Sequence, residues 1–320
     1  MIDPATAIGG VHLTIADLNR SVRFYESRLG FTVHRRDDRT ARLGAGGPDL
    51  LILSQSETAP RVSGTTGLYH FAILVPTRAD LARALRRLVA TDTVMQGAAD
   101  HGVSEALYLA DPDGNGIEIY RDRPRDEWPY VGGALRMGAD PLDFDQLLAD
   151  KTGVSEPAML ASGTTVGHVH LHVSRLDEAE RFYVGVLGFS LMQRYGPSAL
   201  FVSAGGYHHH IALNTWESRG GQPPAPGTTG LYHIAIVYPT RRLLADALRR
   251  LIDAGIQLDG ASDHGVSEAL YLRDFDDNGV ELYWDRPREQ WPRDADGGIK
   301  MKTDPLNLRD LLGELQKEAA

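Results

Sequence analysis

The chain has no cysteine among its 320 residues, which excludes disulfides, thiolate metal sites and cysteine nucleophiles. It has no apolar run as long as a membrane span, and its first residues, MIDPATAIGG, lack the basic and apolar regions of a signal peptide. The 33 basic residues are outnumbered by 43 acidic ones, whereas binding to nucleic-acid phosphates needs a basic surface. We therefore expect a cytoplasmic protein without nucleic-acid or membrane partners, in which metal ligands are nitrogen and oxygen.

The sequence is an internal repeat. TTGLYH occurs at residues 65–70 and 228–233, and DHGVSEALYL occurs at residues 100–109 and 263–272. Both repeats have the same offset of 163 residues. Each half alternates strand patterns with amphipathic helix patterns in a way that predicts two βαβββ units. The expected fold class is α+β, with tandem βαβββ units that form two cup-shaped modules. We assign residues 1–150 to an N-terminal module and residues 151–320 to a C-terminal module.

The two halves differ in histidine content. In the strand GHVHLHV, a period of two places His168 and His170 on one face, and the equivalent of His168 in the first half is Gly10. Likewise, His209 stands where the first half has Leu50. Packing alone does not explain this enrichment on strands that line one cup, so the second half is the expected metal-binding half.

A candidate ligand set follows from this difference. His168, His233 and Glu281 lie on three strand patterns of the second half. Two imidazoles and a carboxylate form the facial triad typical of non-haem Fe(II), with open positions for substrate and dioxygen, and Mn(II) also suits these ligands. His70 and Glu118 repeat two of the ligands in the first half, where they are either structural or relics of duplication. The prediction is a catalytic C-terminal module with a metal and an N-terminal module without one.

At these residues the chain resembles the vicinal oxygen chelate superfamily. Its first-unit signature is similar to residues 168–173, 182–183 and 187–189, and its closing signature is similar to residues 108–118 and 271–281. Within that superfamily the chain is most similar to the two-module type I extradiol dioxygenases, the catechol 2,3-dioxygenase-like group. Those enzymes keep metal only in the C-terminal module.

The resemblance implies roles for particular residues. The implied iron ligands are His168, His233 and Glu281; the acid–base residue is His209, the substrate neighbour is His170, and the hydrogen-bond donors are His264 and Tyr271. Because the DHGVSEALYL segment is identical in both halves, a structural role for His264 in turn or module packing also stays open.

The implied reaction is ring cleavage of a catechol-like aromatic diol with O2, as in aromatic hydrocarbon catabolism, by an enzyme expected to form a homo-oligomer. One alternative is a non-redox metal enzyme, such as a glyoxalase-like isomerase or lyase. Such sites usually add a second carboxylate, and residues 208–214 contain no aspartate or glutamate. A fourth metal ligand at His210 would again favour this alternative. The other alternative is a small-molecule binding protein of the bleomycin-resistance kind, which needs no metal triad.

Overall fold

The computed structural model describes residues 1–57, 60, 62–149 and 159–317. The first half folds into β1 (Ala7–Ile15), α1 (Leu18–Phe24), β2 (Thr32–Arg36), β3 (Thr40–Gly44), β4 (Asp49–Gln55), β5 (Gly67–Leu74), α2 (Arg78–Ala90), β6 (Met95–Asp100), β7 (Ser104–Ala110), β8 (Gly116–Asp122), β9 (Tyr130–Val131), β10 (Ala134–Leu135) and α3 (Phe144–Ala149). The second half folds into β11 (Thr165–His172), α4 (Leu176–Glu180), β12 (Ser190–Tyr195), β13 (Ala199–Ser203), β14 (Ile211–Asn214), β15 (Gly230–Val237), α5 (Arg241–Asp253), β16 (Leu258–Asp263), β17 (Ser267–Arg273), β18 (Gly279–Asp285), β19 (Asp304–Pro305) and α6 (Leu308–Gly313).

The strands form two large mixed sheets that curl into half-barrels. One sheet has the order β19-β16-β17-β18-β15-β1-β4-β3-β2, and we call it the His12 sheet after a residue of β1. The other has the order β12-β13-β14-β11-β5-β8-β7-β6, and we call it the His168 sheet after a residue of β11. This confirms the predicted α+β fold of βαβββ units.

Each sheet combines strands from both halves of the chain. Strand β11 pairs antiparallel with β5, so that His170 lies opposite His70, and β1 pairs with β15 in the equivalent way. The division into modules at residues 1–150 and 151–320 therefore does not match the sheets. Because the repeat supplies equivalent strand edges twice, units can exchange partners without changing the interface, as in domain swapping. Residues 150–158, at the predicted boundary between the two modules, lie outside the described ranges.

Alternation along β1 separates the hydrophobic core from the concave face of the sheet. Leu13 is fully buried and belongs to the same core as Leu81, Leu85 and Leu88 of α2. His12, the residue before Leu13 on β1, points to the opposite face, because successive side chains of a strand alternate between faces. Helix α2 packs against β8 of the His168 sheet and α5 packs against β18 of the His12 sheet, so one side of each sheet is covered by a helix and the concave side is left for polar residues.

The helices α2 and α5 begin at threonine caps. The Thr77 side chain accepts a hydrogen bond from the backbone N–H of Asp80, and Thr240 does the same for Leu243. Each cap satisfies a backbone donor that the first helical turn leaves unpaired. Over the described part of the chain, no helix has the length and apolar character needed to cross a bilayer.

A buried turn sets the start of β8. Asp111 accepts hydrogen bonds from the backbone N–H of Asn115 at 2.8 Å and from the Tyr25 hydroxyl at 2.9 Å. The second half repeats the turn with Asp274, whose pKa burial raises to about 6. The hydrogen bonds of this turn, residues 111–115, therefore fix where β8 begins. Glu118 is the third residue of that strand.

The core packing of α2 gives the first testable prediction. Leu85 is 2% exposed, and its replacement by alanine should lower the free energy of unfolding by about 2–5 kcal/mol because a cavity remains. Val89 on the same helix is 67% exposed, so Val89→Ala should change the free energy by less than about 0.5 kcal/mol. Urea unfolding of both variants tests this, and equal destabilisation would contradict the described packing.

Candidate metal centre

The concave face of the His168 sheet carries a cluster of two histidines and a glutamate. His70 on β5, Glu118 on β8 and His168 on β11 place their potential ligand atoms within 4.8 Å of one another. Glu118 Oε2 lies 3.0 Å from His70 Nε2 and 3.1 Å from His168 Nε2. All three side chains are buried.

Strand register explains why these residues meet. Ala72 on the central strand β5 lies opposite His168 on one side and opposite Glu118 on the other. Neighbouring strands are about 4.8 Å apart, so two long side chains can reach toward each other over the small Ala72 methyl group. His70 is two residues away on the same strand and therefore shares the face. A residue larger than alanine at position 72 would occupy the space between the ligands.

The protonation states suit a metal. Burial lowers the pKa of His168 to about 4, although the Glu118 charge opposes the shift, so the imidazole is neutral at neutral pH. Burial would raise the pKa of Glu118, but the two neighbouring histidines outweigh it and hold that pKa well below its usual range. Neutral imidazole and ionised carboxylate are the ligand forms that bind metal.

The hydrogen bonding of the cluster is incomplete. Within the described ranges, buried His70 Nε2 has no protein hydrogen bond of regular geometry, despite its 3.0 Å approach to Glu118. An imidazole nitrogen buried without a partner loses its hydration at a cost of about 1–3 kcal/mol. A divalent cation between the three ligand atoms would give this nitrogen a partner, so the donor set fits a metal.

The structure divides the predicted ligand set between the two sheets. His168 is in the cluster, but His233 and Glu281 lie on the His12 sheet, where His233 Nε2 is 3.2 Å from Glu281 Oε2. Their neighbour on β1 is His12, and the position equivalent to His168 is occupied there by Gly10. Pairing of units across the halves is the physical reason: β11 pairs with β5, not with β15. His70 and Glu118, considered only as structural residues or relics from sequence, complete the cluster instead.

Two of the other predicted site residues do lie beside the cluster. The His209 ring centroid is 4.1 Å from that of His168, and burial lowers the pKa of His209 well below its usual range. The His170 ring centroid is 5.0 Å from that of His70. His210, considered as a fourth ligand, instead accepts a hydrogen bond from the backbone N–H of Ala204 through Nδ1. It is therefore held by the β13–β14 connection.

The predicted hydrogen-bond donors lie on the His12 sheet. His264 Nε2 is 2.9 Å from the Tyr271 hydroxyl, which donates to Glu281 at 2.9 Å. Their counterparts in the first half, His101 and Tyr108, stand beside the cluster.

His101 Nε2 is 2.6 Å from the Tyr108 hydroxyl, and Tyr108 lies opposite Glu118 across β7 and β8. Burial and the Glu118 charge raise the pKa of Tyr108 well above its usual range, which keeps the hydroxyl protonated. The sequence signal for this pair was the identical DHGVSEALYL segment in the first half.

An aromatic wall borders the cluster on the side of His170. The ring centroids of Tyr69, Trp216 and Phe201 lie 5.0, 5.2 and 6.0 Å from that of His170. Tyr69 and Trp216 are 38% and 46% exposed, so they are accessible from solvent. Such a wall offers edge-to-face and stacking contacts to an aromatic ligand.

Comparison with known proteins agrees with this geometry. The model of the glyoxalase/bleomycin resistance protein/dioxygenase superfamily matches residues 7–119 and 165–282, and the chain belongs to this superfamily. It is a homologue of catechol-2,3-dioxygenase from Bacillus subtilis, with 44% identity over 259 residues that cover 79% of this chain and 90% of that protein. Biphenyl-2,3-diol 1,2-dioxygenase 3 from Rhodococcus globerulus is 34% identical over 38% of this chain and 63% of its own length.

Solved structures support the fold. The crystal structure of a Bacillus subtilis protein named as a putative dioxygenase superposes on this chain with a TM-score of 0.66 at 17% identity. The superposition covers 90% of this chain and 87% of that one. Glyoxalase I from Zea mays superposes with a TM-score of 0.54 at 16% identity, covering 87% and 92% of the two chains. At these identities the likeness concerns the fold alone.

Proposed function

We propose that this protein is an extradiol dioxygenase that opens a catechol-like aromatic diol with O2 at a ferrous ion held by His70, Glu118 and His168. The observation that carries the proposal is the buried cluster of two histidines and one glutamate on the concave face. The 44% identity to a catechol-2,3-dioxygenase supports the choice of reaction. Fe(II) is preferred, and Mn(II) is the second candidate, because both accept this ligand set.

The bound metal would supply Lewis-acid and redox chemistry next to the diol and dioxygen. The chain supplies the proton chemistry. His209 lies beside His168, and an imidazole nitrogen without a hydrogen can accept the proton of a diol hydroxyl and later return it to the product. The Tyr108 hydroxyl, kept protonated, can donate a hydrogen bond to negative charge that develops near Glu118. These assignments give Tyr108 and His101 the roles first expected for Tyr271 and His264.

The aromatic wall would orient the substrate ring. Tyr69 and Trp216 have solvent-exposed faces, while His170 is buried behind them. Asn214 donates a hydrogen bond to His170 Nε2 at 2.9 Å and so fixes the imidazole plane. A flat diol can pack against this wall with its hydroxyls directed to the cluster, and the role of His170 beside the substrate stays a prediction.

The ligand set disfavours the non-redox alternative. Among the described residues, the metal-binding group consists of two histidines and one carboxylate, without the second carboxylate expected of a glyoxalase-like isomerase. A simple binding module would have no need for three buried ligand groups that converge. Both alternatives therefore rank below the dioxygenase.

Oxygen uptake tests the proposal. Anaerobically purified protein loaded with Fe(II) should consume O2 with catechol or a substituted catechol and form a yellow ring-opened semialdehyde. His168→Ala should lose uptake together with the bound metal. Parallel loading with Mn(II) distinguishes the two metals. Stoichiometric metal binding without uptake on any diol would refute the dioxygenase and favour a non-redox enzyme.

Two further expectations concern the whole protein. We propose a homo-oligomer that acts in the cytoplasm on small aromatic diols, with no nucleic-acid or membrane partner. Light scattering coupled to size-exclusion chromatography measures the oligomeric state, and a monomer at micromolar concentration would contradict the first of these expectations.

A further inference from the structure

A chain of hydrogen bonds leads from His209 away from the metal ligands. His209 Nδ1 is 2.8 Å from Nδ1 of His208, and His208 Nε2 is 2.9 Å from Asp122 Oδ1. The same Asp122 oxygen accepts a hydrogen bond of 3.1 Å from the Tyr207 hydroxyl. His208 is fully buried, whereas the Asp122 side chain is 27% exposed. These hydrogen bonds thus connect His209, beside the ligand cluster, to the partly exposed Asp122 side chain.

The direction of each hydrogen bond follows from the chemistry of its groups. Two donors converge on one Asp122 oxygen, which identifies that group as the acceptor end of the chain. His208 therefore carries a hydrogen on Nε2, and in the neutral imidazole its Nδ1 is then a bare acceptor. His209 must then carry a hydrogen on Nδ1 and donate it to His208. In neutral His209 this leaves Nε2 as an unprotonated nitrogen.

We infer that Asp122 and His208 are positioning residues that hold His209 in the tautomer needed for a general base. This inference rests on the proposed function for the role of His209, while the tautomer itself follows from the hydrogen bonds alone. A ring nitrogen can accept a substrate proton only if it has no hydrogen, and its orientation is set by the bond that the other nitrogen makes. The proton of a diol hydroxyl passes to His209 Nε2, while the hydrogen on His209 Nδ1 stays on that nitrogen and keeps its hydrogen bond to His208.

The His12 sheet supplies an internal comparison. It keeps an aspartate, Asp285, at the position of Asp122, but strand register places Pro48 and Asp49 where the other sheet has His208 and His209, one residue earlier than the repeat in the sequence aligns them. Asp49 turns to His34 instead, at 2.9 Å. Among the residues that the structure describes, this chain of hydrogen bonds is therefore present only in the sheet that holds the complete ligand cluster, and Asp285 provides a matched control residue.

The tautomers can be measured without metal or substrate. In metal-free protein with 15N-labelled histidine at neutral pH, long-range 15N–1H spectra should show His209 protonated at Nδ1 and His208 protonated at Nε2. The signals are assigned with His208→Gln and His209→Gln variants. A hydrogen on His209 Nε2 would overturn the inference, whatever the enzyme does.

Kinetics tests the consequence for the reaction. Asp122→Asn should lower kcat by about 10–100-fold, the usual effect of losing a group that orients a reactive residue, with KM and bound metal nearly unchanged. The control Asp285→Asn should keep the wild-type kcat. A wild-type kcat in Asp122→Asn with the metal bound would refute the positioning role. Absence of turnover in the wild type would instead refute the proposed function, and the tautomers would still decide the inference.

Discussion

His70→Ala is expected to remove both the bound metal and the oxygen uptake, whereas His233→Ala should leave both in place. The two histidines occupy the same position in the repeated segment TTGLYH. Only His70 lies in the cluster with His168 and Glu118. Loss of a ligand should weaken metal affinity by more than about 100-fold, since residues that merely orient ligands account for 10–100-fold.

Metal analysis after dialysis and O2 uptake measure this difference. The pair of variants is well matched, because both histidines follow an exposed tyrosine on equivalent strands, β5 and β15. If His233→Ala lost the metal while His70→Ala kept it, the pairing of units would occur within each half, and the cross-half arrangement of the sheets would be refuted.

His209→Ala is the second variant with a large expected effect. Removal of a general acid–base group usually lowers turnover by about 10²–10⁴-fold. Because His209 contacts the ring of His168 but is not in the ligand cluster, the metal content should stay near that of the wild type. Steady-state kinetics should show kcat and kcat/KM falling together, as expected for an interaction made in the transition state.

His210→Ala is the control for this experiment. His210 is the next residue, but its Nδ1 accepts a hydrogen bond from the Ala204 backbone and it faces the β13–β14 connection. Its loss should affect stability more than turnover. A large fall in kcat for His210→Ala together with an unaffected His209→Ala would reassign the acid–base role to His210.

The fold class could be predicted because its signals are local. Strand alternation, helix periodicity and repeated turn motifs each depend on a few neighbouring residues, and all occur twice. The proximity of His168, His170 and His209 was predictable for the same reason, since β11 and β14 are neighbours within one βαβββ unit.

The partners of His168 could not be deduced in this way. Ligands on β5 and on β15 have the same sequence context, so the repeat is compatible with pairing inside a half or between halves. The selection depends on how the units connect and pack in three dimensions, which local patterns do not encode. Gly10 was the informative residue: it shows that one sheet lacks a ligand, without indicating which second unit faces it.

The pairing of β11 with β5 has a thermodynamic consequence. A metal at the cluster would be coordinated by one residue from the second half and two from the first, so the binding site would exist only while both halves are folded and associated. A ligand that binds only the native state adds RT ln(1 + [L]/Kd), about 2.7 kcal/mol at one hundred times Kd. Metal binding would therefore couple the unfolding of the two halves into a single cooperative transition whose midpoint rises with metal concentration.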